Sequence, residues 1–284
     1  MTGLLRLEAL PPLRDSLAAH GLWANKGLGQ HFLLDLNITR KIARLAGPLT
    51  DGLTLEIGSG PGGLTRALLE AGAHVLAIEK DPRFLPLLAE LASAAPGQLT
   101  VIQGDALQID EPSLAQSLQP GAPVRIVANL PYNVGTALLI KWLTGPFRPQ
   151  SLTLMFQKEV AQRIVARTGA DAYGRLAVIC QALARAEIIM DLPARAFTPP
   201  PKVASAVVQM TPQTDRLDDA VIQALEGVTR EAFGQRRKML KSSLRSLGGA
   251  ELCRMAGLDP EARAETIDVP GFVRLAQAAL STAS

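Results

Sequence analysis

Leu53-Thr54-Leu55-Glu56-Ile57-Gly58-Ser59-Gly60-Pro61-Gly62-Gly63-Leu64 decides the fold. A five-residue run of mostly apolar residues runs straight into a glycine-rich turn, and from Leu64 to Ala71 the apolar residues fall at the three-and-four spacing of an amphipathic helix. Similar runs recur outward along the chain, at His74 to Ile78, Leu99 to Gln103, Val124 to Ala128, Leu152 to Gln157, Glu187 to Met190 and Ser205 to Met210. Helical patterns at Pro82 to Ala94 and Thr136 to Leu143 separate the earlier ones. Such alternation predicts an α/β fold with a mostly parallel sheet covered on both faces.

After Met210 the pattern changes. Thr211-Pro212 closes the last run, and helices are predicted at Asp218 to Phe233, Gln235 to Leu247, Ala250 to Ala256 and Gly271 to Leu280, between glycine and proline breakers. The expected division is therefore a domain over residues 1–213, with residues 1–25 as an N-terminal extension, and a small all-helical domain over 214–284.

Composition narrows the function. The 284 residues, 48% hydrophobic and 19% charged, match an ordinary globular chain and exclude wholesale disorder. Two cysteines, Cys180 and Cys253, with no CxxC and no close Cys/His group, give neither a disulfide framework nor a metal cluster. Charges and prolines interrupt the first twenty residues, so no export signal is read, and no stretch is apolar enough to span a bilayer. A cytoplasmic, metal-free protein is the expectation. Net charge is only +3, but Arg230, Arg236, Arg237, Lys238, Lys241 and Arg245 stand against the single acid Glu231 within residues 230–245. That stripe reads as a solvated helix face or as the footprint of a polyanion.

Ligands of open α/β sheets bind beyond the carboxyl ends of the strands. Four successive strand ends are unusual here: the Gly58 to Gly63 turn, Glu79 lying 21 residues after Gly58, Gly104-Asp105 with Asp105 26 beyond Glu79, and Asn129-Leu130-Pro131-Tyr132 beginning 24 beyond Asp105. Gly58, Gly60 and Gly63 also satisfy G-x-G-x-x-G, so the turn alone fits a nicotinamide-dependent dehydrogenase equally well. The Asn129 to Tyr132 turn separates the readings. A nucleobase amine is a poor nucleophile because its lone pair is delocalised into the ring. The Asn129 oxygen and a carbonyl at Leu130 or Pro131 could accept both amine hydrogens and localise that pair, while Tyr132 stacks on the base.

These motifs resemble those of the S-adenosylmethionine-dependent ribosomal RNA adenine N6-dimethyltransferases. Lys26-Gly27-Leu28-Gly29-Gln30-His31-Phe32-Leu33 is similar to the family's K-x-x-G-Q-N-F-L element, Phe197 to Ser205 to its F-x-P-x-P-K-V-x-S element, and Phe233 to Lys238 to its C-terminal signature. The resemblance implies a Rossmann-like class I methyltransferase sheet, S-adenosylmethionine as cofactor, and a monomer acting on 16S rRNA within an immature small ribosomal subunit. The reaction implied is N6,N6-dimethylation of two adjacent adenines in the 3′-terminal hairpin loop. By the same analogy His31, Leu33, Gly58, Gly60, Glu79, Asp105 and Asn129 contact the cofactor. Asn129, Leu130, Pro131, Tyr132 and Phe197 hold the target adenine, and Lys202, Arg236, Arg237 and Lys238 meet RNA phosphates. One departure is His31, where the family more usually has Asn; an imidazole does not offer an amide's paired donor and acceptor. Competing readings are the antibiotic-resistance type that modifies a large-subunit adenine, and a non-catalytic RNA-binding or transcription-accessory factor on the same fold.

Overall fold

The computed structural model describes residues 7–24, 30–235 and 237–283. The chain forms two compact units. The first comprises residues 1–142, 146–161 and 188–210; the second comprises 143–145, 162–187 and 211–284.

The first unit begins with α1 (Leu13–Ala19), β1 (Phe32–Leu33) and α2 (Leu36–Leu45), the last started by Asp35, whose side chain accepts the Asn37 N–H at 2.8 Å. The sheet units follow: β2 (Leu53–Ile57), α3 (Gly63–Glu70), β3 (His74–Glu79), α4 (Leu85–Ala94), β4 (Leu99–Gln103), α5 (Glu111–Leu118), β5 (Val124–Asn129), α6 (Gly135–Thr144), β6 (Ser151–Gln157) and α7 (Lys158–Ile164). Then come α8 (Arg175–Leu183), β7 (Ala184–Leu192), β8 (Phe197–Thr198) and β9 (Ser205–Pro212). Every expected strand is present.

Seven strands lie in the order β4-β3-β2-β5-β6-β9-β7. The pairs β4-β3, β3-β2, β2-β5 and β5-β6 are parallel, and β6-β9 is antiparallel. The chain builds outward from β2 through β3 to β4, then returns to lay β5 on the other side of β2. That reversal opens a crevice above the carboxyl ends of β2 and β5, the switch point at which such sheets take ligands. The central strands are buried on both faces, which is why they read as unbroken apolar runs; β2 is buried at all five positions. A second, two-stranded sheet pairs Phe32 with Thr198 and Leu33 with Phe197, joining two motifs far apart in the sequence.

The second unit gathers α8 with α9 (Asp219–Gly234), α10 (Leu240–Ser243), α11 (Gly249–Met255) and α12 (Val269–Ala283). Its core holds Tyr173, Ala177 and Val178 against Leu225, Leu252, Phe272 and Leu275. Residues 162–187 therefore group with the helical tail, although the last four of them begin β7 of the sheet, and the Tyr173 hydroxyl donates to the Ile267 carbonyl at 2.9 Å.

The helix expected over Gln235 to Leu247 is not a helix. Only Leu240–Ser243 is α-helical, because Met239 is extended and forms a bridge with Arg263, while the Leu240 N–H donates to the Ala262 carbonyl at 2.8 Å. Among the described residues the cationic stripe thus starts on α9 at Arg230, crosses a turn at Arg237 and Lys238, and ends at the short helix α10 and the 3-10 turn that Arg245 opens. Two of its members carry acidic partners, Lys241 with Glu261 at 2.5 Å and Arg230 with Glu231 at 3.8 Å.

Candidate active site

A cavity of about 360 Å³ opens at the switch point, within the range of small-molecule sites. All four strand-end motifs reach it. Its wall includes Gly58 and Gly60 after β2, Glu79 at the end of β3, Asp105 after β4, and Asn129 to Tyr132 after β5, with His31 and Leu33 contributed by β1 and its approach.

The glycine turn shapes one side. Gly60 takes φ +52°, a left-handed conformation that suits glycine, and its N–H donates to Glu79 Oε2 at 2.7 Å. Gly63 opens α3 under β1, where a Cβ would sit 2.6 Å from the Leu33 carbonyl oxygen, so only a bare α-carbon lets the two segments touch. Glu79 accepts a second bond at Oε1 from the Asp81 N–H, at 2.7 Å. Glu79 lines the cavity, and a carboxylate has acceptor capacity beyond these two bonds, which suits a vicinal diol. Burial is the largest influence on Glu79 and raises its pKa; the Asp81, Gly60 and Lys80 N–H groups work the other way, and the Asp81 charge adds to the rise. Its neighbour Asp81 sits at about 2, held down first by the Arg83 guanidinium and also by Gln30, whose side-chain amide donates at 2.9 Å.

Asp105 lies at the rim. Its Oδ1 accepts the Leu107 N–H at 3.0 Å and its Oδ2 the Lys80 ammonium at 2.8 Å, so Lys80 leads in holding its pKa down. The loop behind it is pinned by Lys141 of α6, whose ammonium donates to the Ala106 carbonyl, the Ile109 carbonyl and Glu111 Oε2, each at 2.7 Å.

On the β5 side the Asn129 Nδ2 donates to the His31 carbonyl at 3.4 Å. That bond fixes which end of the amide is which and leaves Oδ1 as a free acceptor. The Pro131 carbonyl already accepts the Val134 and Gly135 N–H groups, at 3.1 and 3.0 Å, so the Leu130 carbonyl is the remaining backbone acceptor of this turn. Tyr132 stacks with His31, ring centroids 5.7 Å apart and planes at 29°, and shares a 2.6 Å hydrogen bond with Ser205. The His31 ring itself donates from Nδ1 to the Pro199 carbonyl at 2.8 Å. An amide is therefore not required at position 31: the main-chain carbonyl serves Asn129, and the ring braces the neighbouring tyrosine.

The remaining expected residues lie elsewhere. Phe197 does not line the cavity; it is 3% exposed, locked by its register with Leu33 into the core of the first unit. Lys202 is exposed in the first unit, and Arg237 and Lys238 are exposed in the second. Arg236, like Lys26 to Gly29, lies outside the described residues.

Glu56 and Ser59 were missed by the motif reading. Both line the cavity and are buried; Glu56 Oε2 and Ser59 Oγ make no bond of full hydrogen-bond geometry, although Thr65 and Ser59 lie close enough to the Glu56 carboxyl to act on it. Burial pushes the Glu56 carboxyl up to about 8, with help from the Glu79 charge and opposition from Thr65 and Ser59. A lone carboxyl within an apolar strand was the available signal. These groups suit a ligand that brings its own hydrogen-bond donors and acceptors; S-adenosylmethionine, with its ammonium and ribose hydroxyls, fits this set. Among the described residues no group of His, Cys, Asp and Glu side chains could hold a metal ion, and no helix is long and apolar enough to cross a membrane.

A family model described as ribosomal RNA adenine dimethylase matches residues 21–279. The ribosomal RNA small subunit methyltransferase A of Phenylobacterium zucineum is 63% identical over 277 residues, covering 98% of this chain and 95% of its own. Among solved structures, a dimethyladenosine transferase from Plasmodium falciparum gives a TM-score of 0.70 at 25% identity, over 86% of this chain and 96% of its own. The 23S rRNA methyltransferase ErmE gives 0.65 at 26%, over 87% and 98%.

Proposed function

The chain belongs to the ribosomal RNA adenine dimethylase family, and from that membership we propose that it converts two adjacent adenines in the 3′-terminal hairpin loop of 16S rRNA to N6,N6-dimethyladenine. It is an S-adenosylmethionine-dependent methyltransferase with the class I α/β sheet. The finer reading places it in the cytoplasm, as a monomer acting on an immature small subunit.

In this reading Glu79 takes the cofactor's ribose hydroxyls through its remaining acceptor capacity, Asp105 accepts the adenine amine at the rim, and the glycine turn admits the chain between them. Once bound, S-adenosylmethionine supplies an electrophilic methyl group on a sulfonium that departs as a neutral thioether. The protein's part is to aim the nucleophile. Asn129 Oδ1 and the Leu130 carbonyl accept the two hydrogens of the target amine, drawing its lone pair out of conjugation, and Tyr132 holds the base by its face. No side chain is needed as a strong base, because the methylated amine is acidic enough to lose a proton to solvent; orientation supplies the rate. Phe197 supports this from below, by carrying the ribbon on which His31 and Leu33 are set. Lys202, Arg237 and Lys238 attract RNA phosphates without reading sequence.

The observation that supports this reading is the Asn129 amide, whose nitrogen donates to the His31 carbonyl and whose oxygen has no bond, in the cavity that Tyr132 also lines. The experiment is methyl transfer from labelled S-adenosylmethionine to small subunits from a dimethylation-deficient strain and, in a parallel reaction, to large-subunit RNA, with the modified positions mapped by primer extension. Two adjacent blocked adenines near the 16S 3′ end are expected. Label confined to large-subunit RNA would assign the resistance-type activity instead, and no transfer would leave an RNA-binding factor.

A further inference from the structure

Ser205 closes the K-V-x-S element and opens β9. Its side chain is wholly buried, and its register with Gln157 places it beside the end of β6. The entry to β9 is fixed there by the Lys158 N–H, which donates to the Ala204 carbonyl at 2.9 Å. Ser205 is thus anchored to regular sheet. Tyr132 is not: it lies in the turn between β5 and α6, where the backbone alone leaves the ring plane free to turn.

Two contacts hold that ring. The His31 imidazole lies against it, and the 2.6 Å bond to Ser205 grips the hydroxyl at its tip. A stacking platform works only if its plane is set before the base arrives, since otherwise binding must also order the ring. The imidazole limits motion on one side; a tie at the far end of the long axis stops the ring from swinging away. Loss of the Tyr132 hydroxyl takes this partner from the buried Ser205 hydroxyl, and loss of the Ser205 hydroxyl frees the tip of the half-buried tyrosine, so the pair acts as one unit.

We propose that Ser205 is a positioning residue for the methyl acceptor, acting through the Tyr132 hydroxyl to hold the aromatic ring in the plane on which the target adenine stacks. The proposal rests on the reading of Tyr132 as the base-stacking side chain.

The test compares wild type, Ser205→Ala, Tyr132→Phe and the double variant on undermethylated small subunits with labelled S-adenosylmethionine, and measures cofactor Kd by calorimetry. Each single change should lower kcat/KM for subunits about tenfold, leave the cofactor Kd within about twofold, and the double variant should be no worse than the poorer single one. Multiplied losses near a hundredfold, or an unchanged kcat/KM in either single variant, would overturn the proposal. A cofactor Kd that rises in step with the loss would overturn it too, since that marks a general defect of the fold. Should Ser205→Ala not fold, Tyr132→Phe decides the matter alone, because it removes the same bond from the other end and leaves the strand untouched. A wild-type enzyme that transfers no methyl would instead bring down the proposed function.

Discussion

Glu56→Gln should stabilise the protein at neutral pH and flatten its dependence on pH. The Glu56 carboxyl titrates at about 8 in the folded chain against an ordinary 4.5, chiefly because it is buried. Between those values the unfolded chain gives up its proton while the folded chain retains it, so the unfolded state binds fewer protons and stability falls as pH rises. The contribution is whole below the unfolded value and drains away toward the folded one. The slope is at most about 1.4 kcal/mol per pH unit, so raising the pH from about 5.5 to about 7.5 costs up to roughly 2.7 kcal/mol. Glutamine has nearly the shape of the protonated acid and nothing to ionise. At about 2–4 °C per kcal/mol, the wild-type melting midpoint should drop relative to the variant by up to roughly 5–10 °C over that window. Calorimetric scans of both proteins at matched ionic strength read this directly. Parallel profiles would refute the reasoning, as would a variant that loses more ground at the higher pH.

Three further changes probe the division of labour. Glu79→Ala removes the acceptor of the Gly60 and Asp81 N–H groups and should weaken cofactor binding at least about tenfold, whereas Asn129→Ala should keep most of that affinity while kcat falls about a hundredfold or more; calorimetry and single-turnover transfer separate the two, and equal losses of both in each variant would count against it. Lys141→Met strips three bonds from the Asp105 loop and strands Glu111 in the interior, so a stability loss of about 3 kcal/mol and a KM for cofactor raised about tenfold, with kcat less changed, are expected from denaturation and initial rates. Arg237→Ala and Lys238→Ala should each reduce the slope of log affinity against log salt for subunit binding by about 0.9; unchanged slopes in filter-binding titrations would place the phosphates elsewhere.

Much of this architecture was legible because parallel strands buried on both faces leave unbroken apolar runs, and the glycine turn marks where the first one stops. The site was legible for a related reason: one residue cluster ends each strand, and a sheet brings strand ends together. What escaped the sequence is nonlocal. Tyr173 looks no different from a residue of the sheet domain until its hydroxyl is seen on Ile267. Gln235 to Leu247 has a helical pattern, but a bridge from Arg263 to Met239 takes the backbone out of helix. Phe197 reads as a base-gripping aromatic, while its pairing with Leu33 sends the ring into the core. His31 seemed a misfit only because the sequence shows its side chain and not its carbonyl.

The short ribbon of β1 and β8 has a consequence for how competence arises. It fastens residues 32–33 to residues 197–198, and the bond from the His31 ring to Pro199 lies just beyond it. A chain truncated after β6 would keep the four parallel pairs, but the His31 ring would lose the Pro199 carbonyl and the Tyr132 hydroxyl would lose Ser205. Nicking the backbone anywhere between these two partners leaves the fragments tied, whereas removing either end unties them. The brace on the acceptor side is thereby complete only in a chain that extends through β8 to Ser205.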